Sequence, residues 1–212
     1  PLADGLNNSL PDCGEVYVIF GRSISDWEAL RVDTDSSIDI DIAGEVGKKP
    51  DLLFSGQDDM DLFGCSLAAG DINNDEIDDL LVGACYSDGL DNASEDAGEV
   101  YIFFGRDNPA WQLLIENEMI QPINADLVIY GADTGDYLGS AIASTSNHTQ
   151  NGDVNGDGRI DFLLGARGAD GVDNRKTDVG EAFLFLGRPD IEWEKLSRNI
   201  SVQSADIRFV GV

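Results

Sequence analysis

Histidine, basic residues and cysteine are scarce in this chain of 212 residues, and long apolar runs are absent. A His-dependent catalytic triad would have a single available base, His148, which has no Ser or Asp constellation around it in sequence and is read as a surface residue. Lys and Arg number 13 against 41 Asp and Glu, giving a net charge of −28. Such a surface repels nucleic acid and anionic lipid, so neither is an expected partner. The three cysteines, Cys13, Cys65 and Cys85, are too few and too irregular for a disulfide-rich or zinc scaffold. No stretch approaches the roughly 18 apolar residues of a membrane helix, so direct membrane insertion is not expected. No signal peptide is visible and the chain does not begin with Met, so its start is expected to be processed or truncated.

What the chain does have is a repeat. GEVYVIFGRSISDW (14–27) returns as GEVYIFFGRDNPAW (98–111) and GEAFLFLGRPDIEW (180–193). The leading glycines lie 84 and 82 residues apart, a near-constant period that marks a repeated structural unit. Turn-rich ADGLNN (3–8), SDGLDN (87–92) and ADGVDN (169–174) precede each copy, and DLLFSG (51–56), DLVIYG (126–131) and DIRFVG (206–211) come after. Two units also carry earlier paired segments, LFGCSLAAGD with DDLLVGA and YLGSAIAS with IDFLLGA. Short β-branched and aromatic runs bounded by Gly and Asp read as strands. In VYVIF both faces are apolar, which requires cover on both sides. The expected fold is therefore all-β, a β-propeller of four-stranded antiparallel blades. Ten strands make about two and a half blades: residues 1–57 the last two strands of a first, 58–132 and 133–212 two complete ones. Such an open stack implies further blades of a longer chain, or other subunits, as partners.

The loops inside the two complete units, DINNDEIDD (71–79) and DVNGDGRID (153–161), share the pattern D-x-N-x-D-x-x-x-D. Oxygen side chains at alternate positions, with a backbone carbonyl at the seventh, suit Ca²⁺, which takes about 6 to 8 oxygens in flexible geometry. The expected ligands are Asp71, Asn73, Asp75, Asp79 and the Ile77 carbonyl, and Asp153, Asn155, Asp157, Asp161 and the Arg159 carbonyl. This gives about two Ca²⁺ sites; Mg²⁺, with its tighter octahedral demand, ranks second. An EF-hand is excluded, because its twelfth position needs a bidentate acid and here holds Val82 or Leu164. Gly158 eases the turn in the second loop, where the first has Glu76.

Phe63-Gly64, then AAGD leading into the acidic loop, then DLLVGA, resemble the FG-GAP repeat of integrin α-subunit β-propellers, which also occurs in other secreted and surface proteins. The resemblance runs over essentially the whole chain. It implies a seven-bladed ring with Ca²⁺ in the hairpin between the first two strands of certain blades. Leu138 stands where the Phe of FG would be, and Cys85 and Arg167 where the Pro of GAP would be.

The implied function is an extracellular or cell-surface module for adhesion, or a scaffold that meets a protein or glycan ligand. The alternatives are the propeller part of an enzyme degrading polysaccharide or cleaving a lipid anchor, and a structural subunit of a large assembly. No catalytic pair stands out among so many carboxylates. The repeated Trp27, Trp111 and Trp193, each with Leu three later, read as packing anchors on one helical turn, with sugar stacking as the alternative. A hairpin symmetric about Asp75 would set Cys65 opposite Cys85, as a disulfide or as two small buried thiols. Asn7, Asn92, Asn147 and Asn199 open N-x-[ST] sequons. The alternation of DTDSSIDIDIAGE (33–45) reads as a half-exposed edge segment.

Overall fold

The computed structural model describes residues 2–5, 9–29, 50–116, 118–144, 152–193 and 195–212. The edge segment expected at 33–45, His148, and the sequons at Asn7 and Asn147 lie outside them. Strands β1 (Glu15–Val18) and β2 (Leu52–Ser55) pair antiparallel. Strands β3 (Phe63–Gly70), β4 (Asp79–Ala84), β5 (Glu99–Phe103) and β6 (Leu127–Tyr130) form a second antiparallel meander. A third sheet uses β7 (Leu138–Ala143), β8 (Phe162–Ala166) and β9 (Glu181–Phe185). Beyond β10 (Asn199–Ser201), this third sheet closes with β11 (Ile207–Val210) beside β9.

The sheets stack in series, and side-chain alternation shows it. Leu81, Val100, Ile102, Leu127 and Ile129 of the middle sheet pack in one cluster with Phe162, Leu164 and Phe183 of the third. Their alternate neighbours Val82, Tyr101, Phe103 and Val128 pack in a separate cluster with Val16, Leu52 and Phe54 of the first. With side chains pointing to opposite faces at period two, the middle sheet is covered on both sides, as its doubly apolar strands require. A two-layer sandwich has no such middle sheet.

The glycines that mark the repeat sit at the crossing from one sheet to the next. Gly98 adopts φ +82°, and a side chain there would meet the backbone of Leu138, its O at 2.2 Å and its N at 2.3 Å. The Leu138 N–H donates to the Ala97 carbonyl (2.9 Å), and the Gly98 carbonyl accepts from Gly131 at the end of β6 (2.9 Å). Gly14 repeats this against Phe63 and Gly56. Only glycine allows that approach in the left-handed region.

Two expectations need correction. Eleven strands are described, not ten: β10 runs parallel to β6 of the preceding sheet, with Ile200 opposite Ile129. Its counterpart is the parallel bridge of Ile120 with Phe54. The crossover before each fourth strand thus extends the preceding sheet, a pairing that no local pattern encodes. The β3–β4 register also differs by one residue from the symmetric hairpin. Ser66 faces Gly83, and a bulge between Phe63 and Ser66 takes up Cys65. Cys65 and Cys85 are nonetheless disulfide-bonded, with Cα atoms 6.3 Å apart, and Cys13 is free and buried. Among the described residues no helix is long and apolar enough to cross a membrane.

Candidate functional site

The loop from Asp71 to Asp79 is wound around its own acid side chains. Asp71 accepts from the backbone N–H of Asp75 (Oδ1, 3.0 Å) and of Glu76 (Oδ2, 3.1 Å). Asn73 Oδ1 also accepts from Asp75 N–H (3.1 Å), and Asp75 Oδ1 accepts from Ile77 N–H (2.8 Å). Asp and Asn turn the chain this way because their side chains mimic a backbone acceptor two residues on. The second loop repeats the winding: Asp153 accepts from Asp157 (3.0 Å) and Gly158 (2.8 Å), and Asn155 from Asp157 (2.9 Å). Residues four and six of both loops are left-handed, Asn74 (φ 64°) and Glu76 (φ 72°) in one, Gly156 (φ 79°) and Gly158 (φ 87°) in the other.

The last acid of each loop is tied to the third strand of its own sheet. Asp79 bridges Ile72 N–H (2.9 Å) and Gly105 N–H (2.8 Å); Asp161 bridges Val154 N–H (2.8 Å) and Gly187 N–H (2.8 Å). Burial pushes the Asp79 carboxyl up to about 7; those two N–H bonds pull it down, and Asp75 and Asp71 push it further up. A buried acid among acids is a place where positive charge is missing.

All ten expected ligand positions thus fall on two loops of one conformation. Their donors are carboxylate, amide and carbonyl oxygens, the set a hard cation prefers, so the residues fit Ca²⁺. Among the described residues, however, no three His, Cys, Asp or Glu side chains converge as a ready metal cage. The carboxylates are spread around the loop on N–H donors. Ile77 is exposed, whereas Arg159 at the same position of the second loop pairs its guanidinium with Asp157 (3.2 Å).

Sequence reasoning missed a second repeated constellation. Arg22, Arg106 and Arg188, from the GR pairs, each bind the Asp that opens the fourth strand: Asp51, Asp126 and Asp206. Each Arg also lies over the Trp of its own crossover, Trp27 at 5.5 Å, Trp111 at 4.9 Å and Trp193 at 5.2 Å. The same Asp accepts the N–H two residues before the Arg, from Phe20, Phe104 or Leu186 (2.7, 2.7 and 2.9 Å). The Trp residues sit on or beside short helices, α1 (Ile24–Ala29), α2 (Asn108–Gln112) and α3 (Asp190–Trp193). Trp111 and Trp193 are buried, with Leu114 and Leu196 packed beside the same clusters. They are packing anchors, and burial leaves those two no open face for a sugar. Every partner was visible in sequence, but the Arg and the Asp belong to separate motifs 18 to 29 residues apart.

The glutamates of GE[VA] were also missed. Glu99 and Glu181 are buried at strand starts, where a solvent-facing acid would be expected. The Tyr101 hydroxyl donates to Glu99, and Arg208 binds Glu181. Glu181 and Arg208 line an acidic cavity of about 360 Å³ with Asp133, Asp136 and Asp170. Of the four sequon asparagines, Asn92 and Asn199 are exposed.

Comparison with known proteins agrees with this architecture. Residues 63–103 match the FG-GAP repeat, which spans β3, the first acidic loop, β4 and β5. Similar proteins include integrin alpha-5 of Xenopus laevis (30% identical over 138 residues), integrin alpha-PS2 of Drosophila melanogaster (34% over 137) and integrin alpha-8 of Mus musculus (29% over 138). Each alignment covers 64% of this chain but only 11%, 8% and 11% of the relative, so the chain spans about a tenth of their length. The repeat glycines, the stacked sheets and the wound acidic loops accord with these matches: residues 63–103 carry an FG-GAP repeat, and 64% of the chain is similar to integrin alpha subunits.

Proposed function

We propose that the chain is a Ca²⁺-binding β-propeller segment of an extracellular or cell-surface protein, serving adhesion or presenting a scaffold to a protein or glycan ligand. Residues 1–57, 58–132 and 133–212 are its blades, the first represented by its last two strands. The observation that carries the cation reading is the identical winding of the two loops around their first Asp, with the last Asp buried between backbone donors. Ca²⁺ would be held by Asp71, Asn73, Asp75, Asp79 and the Ile77 carbonyl, and by Asp153, Asn155, Asp157, Asp161 and the Arg159 carbonyl. It would supply the positive charge that the crowded carboxylates lack. The chain's own residues do the rest: the loops cross-brace their sheets and fix the surface that a ligand meets.

The far side of the third sheet supports the reading as part of a larger ring. An apolar hollow of about 470 Å³, lined by Val154, Phe162, Leu163, Leu184 and Phe209, lies where a following blade or subunit would pack. Integrin-like relatives favour an extracellular address, and so does the ion itself, since Ca²⁺ stands at about 1 mM outside cells and cytosolic Ca²⁺ would barely fill such sites. With a Kd on the order of 10 μM, each site would stabilise the fold by about 2.7 kcal/mol. Chelation is therefore expected to lower the melting temperature, and Asp71→Ala and Asp153→Ala each to abolish part of that drop. Melting curves indifferent to chelator would refute the proposal.

A further inference from the structure

The two acidic loops share a pattern and a conformation, yet their surroundings differ. In the first loop Asp71, Ile72 and Asn73 are 2%, 0% and 3% exposed; in the second Val154 is 63% exposed, and Asn155 is exposed too. The cover over the first loop comes from the third sheet. The Ile72 carbonyl accepts two hydrogen bonds from the crossover of that sheet: the indole N–H of Trp193 (3.2 Å) and the backbone N–H of Arg188 (3.2 Å). The Ile72 N–H is held by Asp79, and its side chain is buried in the cluster between the sheets. The residue between the first and third loop positions is thus fixed at every group it possesses. Val154, its counterpart, is held through its N–H on Asp161.

Trp193 is itself firmly placed. It is 1% exposed, lies beneath the Arg188 guanidinium, and packs beside Phe162 at 6.2 Å. A buried indole N–H needs an acceptor, and here the acceptor is the backbone of a neighbouring sheet's acidic loop.

Resting on the cation reading above, we propose that Trp193 and Arg188 form an inter-sheet latch on the Ile72 carbonyl that sets the cation affinity of the loop at 71–79. Trp193 is a positioning residue: it orders the peptide between Asp71 and Asn73 before the ion arrives, which lowers the ordering cost of binding. Coupling of this kind is reciprocal, so the ion in turn tightens the contact between the middle and third sheets. In this chain taken alone, the loop at 153–161, which lacks such a contact among the described residues, is the weaker site.

Trp193→Phe tests this, because it keeps an aromatic ring and removes the N–H. Ca²⁺ is titrated calorimetrically into the metal-free chain in two backgrounds, each with one loop disabled. With Asp153→Ala, Trp193→Phe is expected to raise the Kd of the remaining loop about fivefold, the ratio given by one net hydrogen bond of about 1 kcal/mol. With Asp71→Ala, it is expected to leave the Kd unchanged. A purely structural loss would lower melting with and without Ca²⁺ alike, whereas the latch narrows the gap between them. A second measurement needs no Trp substitution: with ¹⁵N-indole labelling, Ca²⁺ should slow hydrogen exchange of the Trp193 N–H in the Asp153→Ala chain.

Equal Kd values with and without Trp193→Phe in the Asp153→Ala background would overturn the latch and leave the cation sites standing. So would equal losses in both backgrounds, or Trp193 exchange indifferent to Ca²⁺. Failure of the unmutated chain to bind Ca²⁺ at all would overturn the cation reading and the latch with it.

Discussion

Replacing Arg106 with Ala should cost the fold about 2 kcal/mol, although Arg106 touches neither acidic loop. Its guanidinium joins three structures: the Asp126 carboxylate at the head of β6, the Phe104 carbonyl just after β5 (3.0 Å) and the Trp111 ring. The ion pair is about a quarter exposed, with side chains at 22% and 29%, so it lies above the usual worth of a surface pair, at about 1 kcal/mol. The cation–π contact adds about 0.5 to 1 kcal/mol. Asp126 keeps its bond from the Phe104 N–H, which limits the damage. For a chain of this length 2 kcal/mol corresponds to a fall in melting temperature of about 6 °C. Arg106→Lys should recover only part of it, because an ammonium cannot bridge a carboxylate and lie flat on an indole together. Thermal melts of Arg106→Ala, Asp126→Asn and the double variant should show coupling of about 1 kcal/mol. Additive losses, or an Arg106→Lys variant as stable as the parent, would refute the clasp.

Glu76 occupies a left-handed position that the second loop gives to Gly158, so Glu76→Gly should stabilise the chain by about 1 kcal/mol, readable as a higher melting temperature. The pH dependence has a definite sign. Asp61 and Glu99 are each pushed up to about 7, first by burial; Ser87 and Tyr101 respectively pull them down, and Asp58 and Asp88 push both further up. Their folded values exceed the ordinary carboxylate value of about 4, so their contribution is fully present below about pH 4 and lost as pH rises through about 7. Melting temperature should therefore be higher at pH 5 than at pH 8 in metal-free buffer, and Asp61→Asn with Glu99→Gln should flatten that slope.

How far the sequence could be read depends on whether an interaction leaves a local trace. Strand positions were legible because apolar pairs such as Val100 and Tyr101 must each find cover, and here they find it in two different clusters. The acidic loops were legible because their winding is made by short polar side chains acting on their own backbone. The Arg–Asp–Trp clasp was half legible: the Arg and Trp recur at one fixed short spacing, but the Asp lies beyond a crossover of variable length. The addition of β10 to the preceding sheet was not legible, since three residues of edge pairing depend on a partner some 70 residues away. Least legible was the Ile72 carbonyl, because a backbone acceptor has no residue code.

That last case explains a feature of the repeat itself. A Trp fixed in phase with the acidic loop, but belonging to the next unit, is what a contact between consecutive units must look like in sequence. Trp193 meets the loop one unit back. On that reading the periodic Trp records how sheets are joined, and the fold of any one sheet does not account for it. If the loop holds the proposed cation, joining consecutive sheets at its backbone would make the stack's rigidity depend on the ion, which a chain of separately stable sheets would not need.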